Sequence, residues 1–345
     1  MHHQAQAGPL PTGKLPAPLL RTLLHAIEVR DPRVLVGPRV GEDAAVLDYG
    51  ERLLVATTDP ITFATDLIGW DAVTINANDI AVRGARPLWF LASILLPHGT
   101  DAAQAHAIFR QLHDACGALH VTLVGGHTEV TADLDRPIVV GCMLGEVARA
   151  GLVTTAGARP GDVLVLTKGI AIEGTAVLAR EAGEHLARRG LAPDVVARAA
   201  AQLFHPGISV VHEAQVAVAA APIHAMHDPT EGGLATALAE LAEASGCGIR
   251  LAAEAVPVLP ECAAICRALD LDPLGLLASG ALLLAVSPQD AGPLLEALTH
   301  GGTPATVIGA VTPAEQGVVI VSRAGVAPLP AFPRDELARW LDQRA

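Results

Sequence analysis

The chain has 345 residues, about half of them apolar, with 36 acidic against 23 basic side chains. A net charge of −13 repels nucleic-acid backbones and anionic bilayers, and no apolar run reaches the roughly 20 residues needed to span a membrane. Nucleic-acid and membrane binding are therefore not expected, whereas two domains with proper cores are.

The first seven residues, Met1 to Ala7, lack the basic start and apolar core of a secretion signal, so a cytoplasmic protein is expected. Gly8-Pro9-Leu10-Pro11-Thr12-Gly13-Lys14-Leu15 approaches a phosphate-binding P-loop. It fails as one, because Leu15 replaces the metal-binding hydroxyl and two prolines remove amide donors. Lys14 is either a mobile phosphate contact or a solvated lysine ahead of a helix. Leu19, Leu20, Leu23 and Leu24 repeat at helical spacing before Asp31-Pro32. Strands are then expected over 34–36, 44–47, 53–57 and 88–95, with a helix over 71–83. A second helix over 101–118 has Thr100 or Asp101 as its cap and Gly117 as its stop. Turn residues concentrate in 149–162, which divides the chain into domains at 1–150 and 151–345. Beyond it the pattern predicts strands over 163–167, 281–286 and 318–321 and helices over 174–183 and 234–245. The class is α+β, not a strict βαβ alternation.

Five cysteines, an odd number with no CxxC pair, argue against a disulfide framework or zinc ribbon. Cys262 and Cys266, four apart on an expected helix, read as core packing. His205, His212, His224 and His227 follow no metal-ligand spacing and read as structural.

Acidic residues end apolar, β-branched runs at four separated places: Gly41-Glu42-Asp43-Ala44-Ala45-Val46, Thr57-Thr58-Asp59-Pro60, Asn76-Ala77-Asn78-Asp79-Ile80-Ala81 and His227-Asp228-Pro229-Thr230-Glu231-Gly232-Gly233. A carboxylate beside a buried strand is costly unless a cation neutralises it, so together the four point to one shared magnesium-phosphate site. Singly, Asp59 or Asp79 would serve as well as a cap or turn former. Leu123-Val124-Gly125-Gly126-His127-Thr128-Glu129 is read as a strand followed by a Gly-Gly turn that lets backbone approach a ligand, flanked by His127 and Glu129. The segment from Thr167 and Lys168 to Ala176 is either an anion-binding helix start or an ordinary strand-to-helix connection.

The motifs GEDAAV, TTDP, NANDIAVRGARP, VGGHTEV, GARPGDVLVLTKG and HDPTEGGL, in this order over nearly the whole chain, resemble the aminoimidazole ribonucleotide (AIR) synthase superfamily and, within it, the HypE group. The resemblance implies a two-domain AIR synthase-like α+β fold. Its N-terminal domain would pair through its sheet in a homodimer, its C-terminal domain would be mixed α/β, and ATP would lie between the domains. It implies Mg²⁺ carboxylates at Asp43, Asp59, Asp79 and Asp228, with Asp59, Asp79 and His127 as the catalytic set. The implied nucleotide contacts are Lys14, Thr57, Thr58, Asn76, Asn78, Gly125, Gly126 and Glu129. The implied activity is ATP-dependent phosphoryl transfer to the amide or carbonyl-type oxygen of a small-molecule or protein-borne substrate, in metalloenzyme maturation. Such chemistry needs positioning and charge neutralisation more than a covalent nucleophile. A thiamine-monophosphate kinase-like phosphotransferase and a non-catalytic ATP-binding assembly protein are the alternatives. Two departures stand out: HypE proteins end in a cysteine that carries the carbamoyl group, whereas this chain ends Asp342-Gln343-Arg344-Ala345, and His127 replaces the usual aspartate.

Overall fold

The computed structural model describes residues 13–63 and 66–343. Residues 1–12, with most of the P-loop-like stretch, and the terminal Arg344 and Ala345 lie outside the described residues.

The first half builds six strands: β1 (Val34–Val36), β2 (Ala45–Asp48), β3 (Arg52–Ile61), β4 (Arg86–Pro97), β5 (Thr122–Thr131) and β6 (Ile138–Ala148). They form one sheet in the order β1-β2-β3-β6-β4-β5, antiparallel except for the parallel β4–β5 pair. Its helices are α1 (Ala17–His25), α2 (Ile68–Ala81) and α3 (Ala102–Ala118). In β6 the alternation is complete: Val139, Gly141, Met143, Gly145 and Val147 are buried against α2, while Val140, Cys142, Leu144 and Glu146 on the other face are half-buried. Each fully buried side chain of the Met143 or Phe90 kind contributes about 1.5–3 kcal/mol relative to exposure.

The second half contains β7 (Val163–Thr167), β8 (Ala225–His227), β9 (Gly248–Ala252), β10 (Leu283–Val286), β11 (Ala305–Thr312), β12 (Val318–Ser322) and β13 (Gly325–Pro328), in the order β13-β12-β9-β11-β7-β10-β8. Around them lie α4 (Ile172–Glu181), α5 (Gly183–Arg188), α6 (Pro193–Ala201), α7 (Val211–Ala220), α8 (Gly233–Ser245), α9 (Pro260–Leu269), α10 (Pro288–His300) and α11 (Glu336–Asp342). One apolar cluster runs without a break from the first sheet through α2 and α7 to β7, β10 and α10. The two halves therefore share a core. Cys262 and Cys266 sit in a separate apolar cluster, with their sulfurs 3.9 Å apart. Among the described residues, no helix is long and apolar enough to cross a membrane.

Two local expectations are corrected and one open alternative is resolved. Gly125 and Gly126 form no turn but lie inside β5, beside a register shift between Phe90 and Leu91 of β4. A Cβ at Gly126 would meet the Ala92 carbonyl oxygen at 2.0 Å, so this glycine permits close strand pairing. Gly117 lies within α3, whose start is fixed by a capping box between Asp101 and Gln104. The start of α4 offers no anion site: the amides of Glu173 and Gly174 donate to the Ser279 and Leu277 carbonyls. Lys168 is buried, paired with Glu213 at 2.5 Å and donating to the Gly207 and Ser209 carbonyls.

Candidate functional site

Helix α2 is buried on every side, between the first sheet, α3 and α7, so a polar side chain on it is costly without a partner; Asn76, Asn78 and Asp79 have one, whereas among the described residues neither oxygen of Asp71 does. Asn76 faces β3: it accepts from the Asp59 amide at 3.0 Å and donates to the Ala72 carbonyl at 2.8 Å. Gly141 on β6 makes room for it, since a Cβ there would strike the Asn76 amide nitrogen at 2.3 Å. Asn78 faces the other way, donating to the Ile208 carbonyl and accepting from the Val210 amide at 2.9 and 2.8 Å. Its amide ties the halves together and is not directed at a ligand. Asp79, one residue further, accepts a 2.7 Å hydrogen bond from Thr57.

The four aspartates come from four elements: Asp43 from the loop before β2, Asp59 from β3, Asp79 from α2, and Asp228 from the residue after β8. Asp43, Asp59 and Asp79 line a cleft of about 700 Å³. The ligand atoms of Asp43, His227 and Asp228 lie within 4.8 Å of one another. Burial, then the charge of Asp43, raises the Asp59 and Asp228 carboxyls above the usual range. Asp79 is raised by burial and then by Asp59, Asp228 and Asp43. Among the described residues, neither buried oxygen of Asp228 has a hydrogen-bond partner.

Asp43 differs from the other three. Its Oδ2 lies 3.0 Å from both Arg83 and His227. Burial would raise its pKa, but these cations outweigh burial and hold it well below the usual range. Arg83 also meets Glu42 at 2.6 Å and donates to Thr155. The other nitrogen of His227 lies 3.0 Å from Glu240, whose second oxygen is 2.8 Å from the Lys14 ammonium. The result is a line of alternating charges, Lys14–Glu240–His227–Asp43–Arg83–Glu42, with three of each sign. Burial opposes a charge on His227, yet Asp43 and Glu240 push its pKa up to about 10. With both ring nitrogens donating to carboxylates, His227 is an imidazolium and not a metal ligand.

The remaining expected contacts scatter. Thr58 donates to the Gly141 carbonyl at 2.7 Å. Gly125, Gly126, His127 and Glu129 lie exposed on β5, two strands and roughly 14 Å from β3. His127 is 69% exposed and 3.3 Å from Glu129. Lys14 reaches the cleft mouth, its backbone amide donating to Glu231 at 2.7 Å. Sequence reasoning missed Glu42, Arg83 and Glu240 and treated His227 as merely structural. A usable signal was Arg83 itself, a charge set within an apolar Ile80-Ala81-Val82 and Gly84-Ala85 context.

A sheet covered by a buried polar helix, a second mixed sheet and an acidic cleft where they meet define the AIR synthase-related class. The N-terminal domain model of AIR synthase related proteins matches residues 41–147 and the C-terminal model residues 159–322. The chain belongs to this family. A putative hydrogenase expression/formation protein of Methanocaldococcus jannaschii is 30% identical over 324 residues, covering 91% of this chain and 92% of that protein. The carbamoyl dehydratase HypE of Cupriavidus necator is 32% identical over 268 residues, 75% and 73% of the respective lengths. A hydrogenase maturation protein HypE solved in complex with ATP has the same fold, with TM-score 0.66, 24% identity and coverage of 92% and 91%.

Proposed function

We propose that the chain is an ATP- and Mg²⁺-dependent enzyme of the HypE kind that activates an amide or carbonyl-type oxygen by phosphoryl transfer. The observation that carries this reading is the half-buried carboxylate of Asp59 with the buried carboxylates of Asp79 and Asp228, the last with no hydrogen-bond partner among the described residues, at a cleft in the size range of ligand sites. An all-oxygen set of this kind fits a hard divalent ion better than a soft one. Support also comes from the dehydratase relative and from the ATP complex of a HypE with this fold.

Asp59, Asp79 and Asp228 would hold the ion, with Asp43 held ready by Arg83 and His227. Magnesium supplies charge neutralisation on the phosphoryl oxygens. Lys14, Arg39 and Arg136 line the same cleft and offset the remaining triphosphate charge. The substrate amide oxygen forms a bond to the γ-phosphorus, the bond from that phosphorus to the bridging oxygen breaks, ADP departs, and an amide N–H proton passes to a base in the cleft. The division into 1–150 and 151–345 then separates a metal-rich half from one that closes the cleft. The half-buried outer face of β6, the open edge of β5 and its exposed Val124 and Val130 support pairing with a second copy. A cytoplasmic enzyme is the setting this chemistry suits.

Calorimetry with Mg²⁺ and a non-hydrolysable ATP analogue tests the reading. Asp59→Ala and Asp79→Ala should each weaken binding at least tenfold. Unchanged affinity in both would overturn it.

A further inference from the structure

Helix α1 carries Leu20 and Leu24 on one side, yet none of its residues is buried. It is pinned to α8 by Arg21, whose guanidinium donates to both oxygens of Glu243 at 2.7 and 2.5 Å. Toward the space between them α8 presents Ala235, Thr236 and Ala239, side chains too small to fill it. A cavity of about 350 Å³ remains there, closed on its other side by Val318 and the segment after β13, and it falls in the size range of small-ligand sites. Its walls resist collapse. Pro16, Pro18, Pro330 and Pro333 stiffen the backbone, and the Phe332 ring is seated on Gly275, where a Cβ would meet it at 2.2 Å.

The charges on this lining do not balance. Glu240 has Lys14 and His227, Glu243 has Arg21, and Arg334 has Asp342. Among the described residues no cation pairs with Glu231 or Asp335, which also line the cavity. Glu231 accepts from the Lys14 amide, while the Lys14 ammonium sits on Glu240 at 2.8 Å. Asp335, 5% exposed, accepts from the Gly232 and Leu337 amides at 2.7 Å each. Burial, with Glu231 nearby, pushes its carboxyl up to about 7, against the pull of those amides.

Two uncompensated carboxylates beside an apolar wall repel an anion, and covering them with a neutral apolar body would bury their charge at a cost. A bare divalent ion would need more oxygen ligands than Leu15, Pro330 or Phe332 can offer. A primary ammonium carries three donors and one positive charge, which suits both carboxylates while an attached apolar group fills the space. We infer that this cavity is a second ligand site that takes a small primary amine on an apolar body, its ammonium received by Glu231 and Asp335 and its body lying among Leu20, Ala235, Ala239 and Phe332. None of Asp43, Asp59, Asp79 and Asp228 lines it, so the amine binds whether or not the cleft takes a nucleotide.

The test is calorimetric titration of benzylamine, benzyl alcohol and benzoate into the full chain at neutral pH without nucleotide. Benzylamine should saturate a single site, benzyl alcohol should bind at least tenfold more weakly and benzoate not at all. Glu231→Gln should weaken benzylamine at least fivefold, and Ala235→Leu, which fills the cavity and lies outside the cleft lining, at least tenfold. Asp59→Ala should keep benzylamine affinity within twofold, which separates this cavity from the acidic cleft. Thermal melts establish that each variant is folded; should Ala235→Leu not fold, Ala239→Leu, at an exposed position of the same lining, carries the same expectation. No saturable benzylamine binding, benzyl alcohol binding equally well, or wild-type affinity in either Glu231→Gln or the cavity-filling variant would overturn the proposal. So would a loss in Asp59→Ala as large as in Glu231→Gln, which would place the amine in the cleft.

Discussion

Two sets of charged side chains, most of them buried or half-buried, meet at Asp43 and are built on opposite rules. From Lys14 to Glu42 every charge has a neighbour of opposite sign within 3.0 Å. Asp59, Asp79 and Asp228 are governed by burial and by neighbouring carboxylates: Lys14 acts on Asp59, and His227 and Arg83 on Asp228, but the carboxyls stay raised, and among the described residues neither oxygen of Asp228 has a hydrogen-bond partner. The first set is complete within the polypeptide and serves architecture: it joins the loop before β2 and the end of α2 to β8 and α8. The second is complete only with a ligand. Buried charge thus marks function here by its lack of compensation, not by its presence.

The sharpest way to break this contrast is Arg83→Met. Removing the guanidinium strands Glu42 in the interior and leaves Asp43 with His227 alone, and a loss of about 3–5 kcal/mol in denaturant melts is expected. A loss below about 1 kcal/mol would show that the line of charges is not a structural unit. Next in size is His227→Gln. His227 keeps its proton up to about pH 10 in the fold against 6.5 as its ordinary value. Its stabilisation is therefore fully present below about pH 6.5 and is lost as pH rises through about 10. Wild type should lead the variant by roughly 3 kcal/mol near pH 6 and lose that lead by pH 10.5; a constant gap across this range would contradict the imidazolium. The smallest effect has the opposite sign. Asp228→Asn should stabilise the metal-free chain in EDTA by about 1–2 kcal/mol while abolishing the gain from Mg²⁺ and an ATP analogue. Because the folded pKa of Asp228 is raised, ionising it in the fold costs stability as pH rises above its ordinary 3.8. The gain in the variant should therefore vanish in acid. Destabilisation at neutral pH would place Asp228 with the structural set.

Much of this was legible in the chain. Strand 163–167 lies where its apolar run places it, and α2, α3 and α8 fall within a few residues of their expected limits, because Asp101 caps α3 and the Gly232-Gly233 pair opens α8. Strand β6 escaped notice because Gly141 and Gly145 interrupt its β-branched pattern. Those glycines answer to α2, since side chains there would collide with Asn76 and Ile80. The Gly125-Gly126 pair misled for the same reason, its need being steric and set by β4. Within the cleft the aspartates could be anticipated from burial alone. Their counter-charges could not, because Glu240, His227 and Arg83 become neighbours only after distant elements pack, and no spacing along the chain encodes that.

The side-to-side placement of Asn76 and Asn78 on α2 bears on how any molecule gets in. With one amide clasping β3 and the other the backbone ahead of α7, and an unbroken apolar interior around them, the halves cannot swing apart without wetting that interior, at about 25 cal/mol for each Å² exposed. Lys14, by contrast, is held by a single backbone bond to Glu231 and one ion pair. Where Gly13 and Lys14 line the cleft, the Lys14–Glu240 pair fastens its wall at a partly exposed point that no apolar packing of comparable extent reinforces.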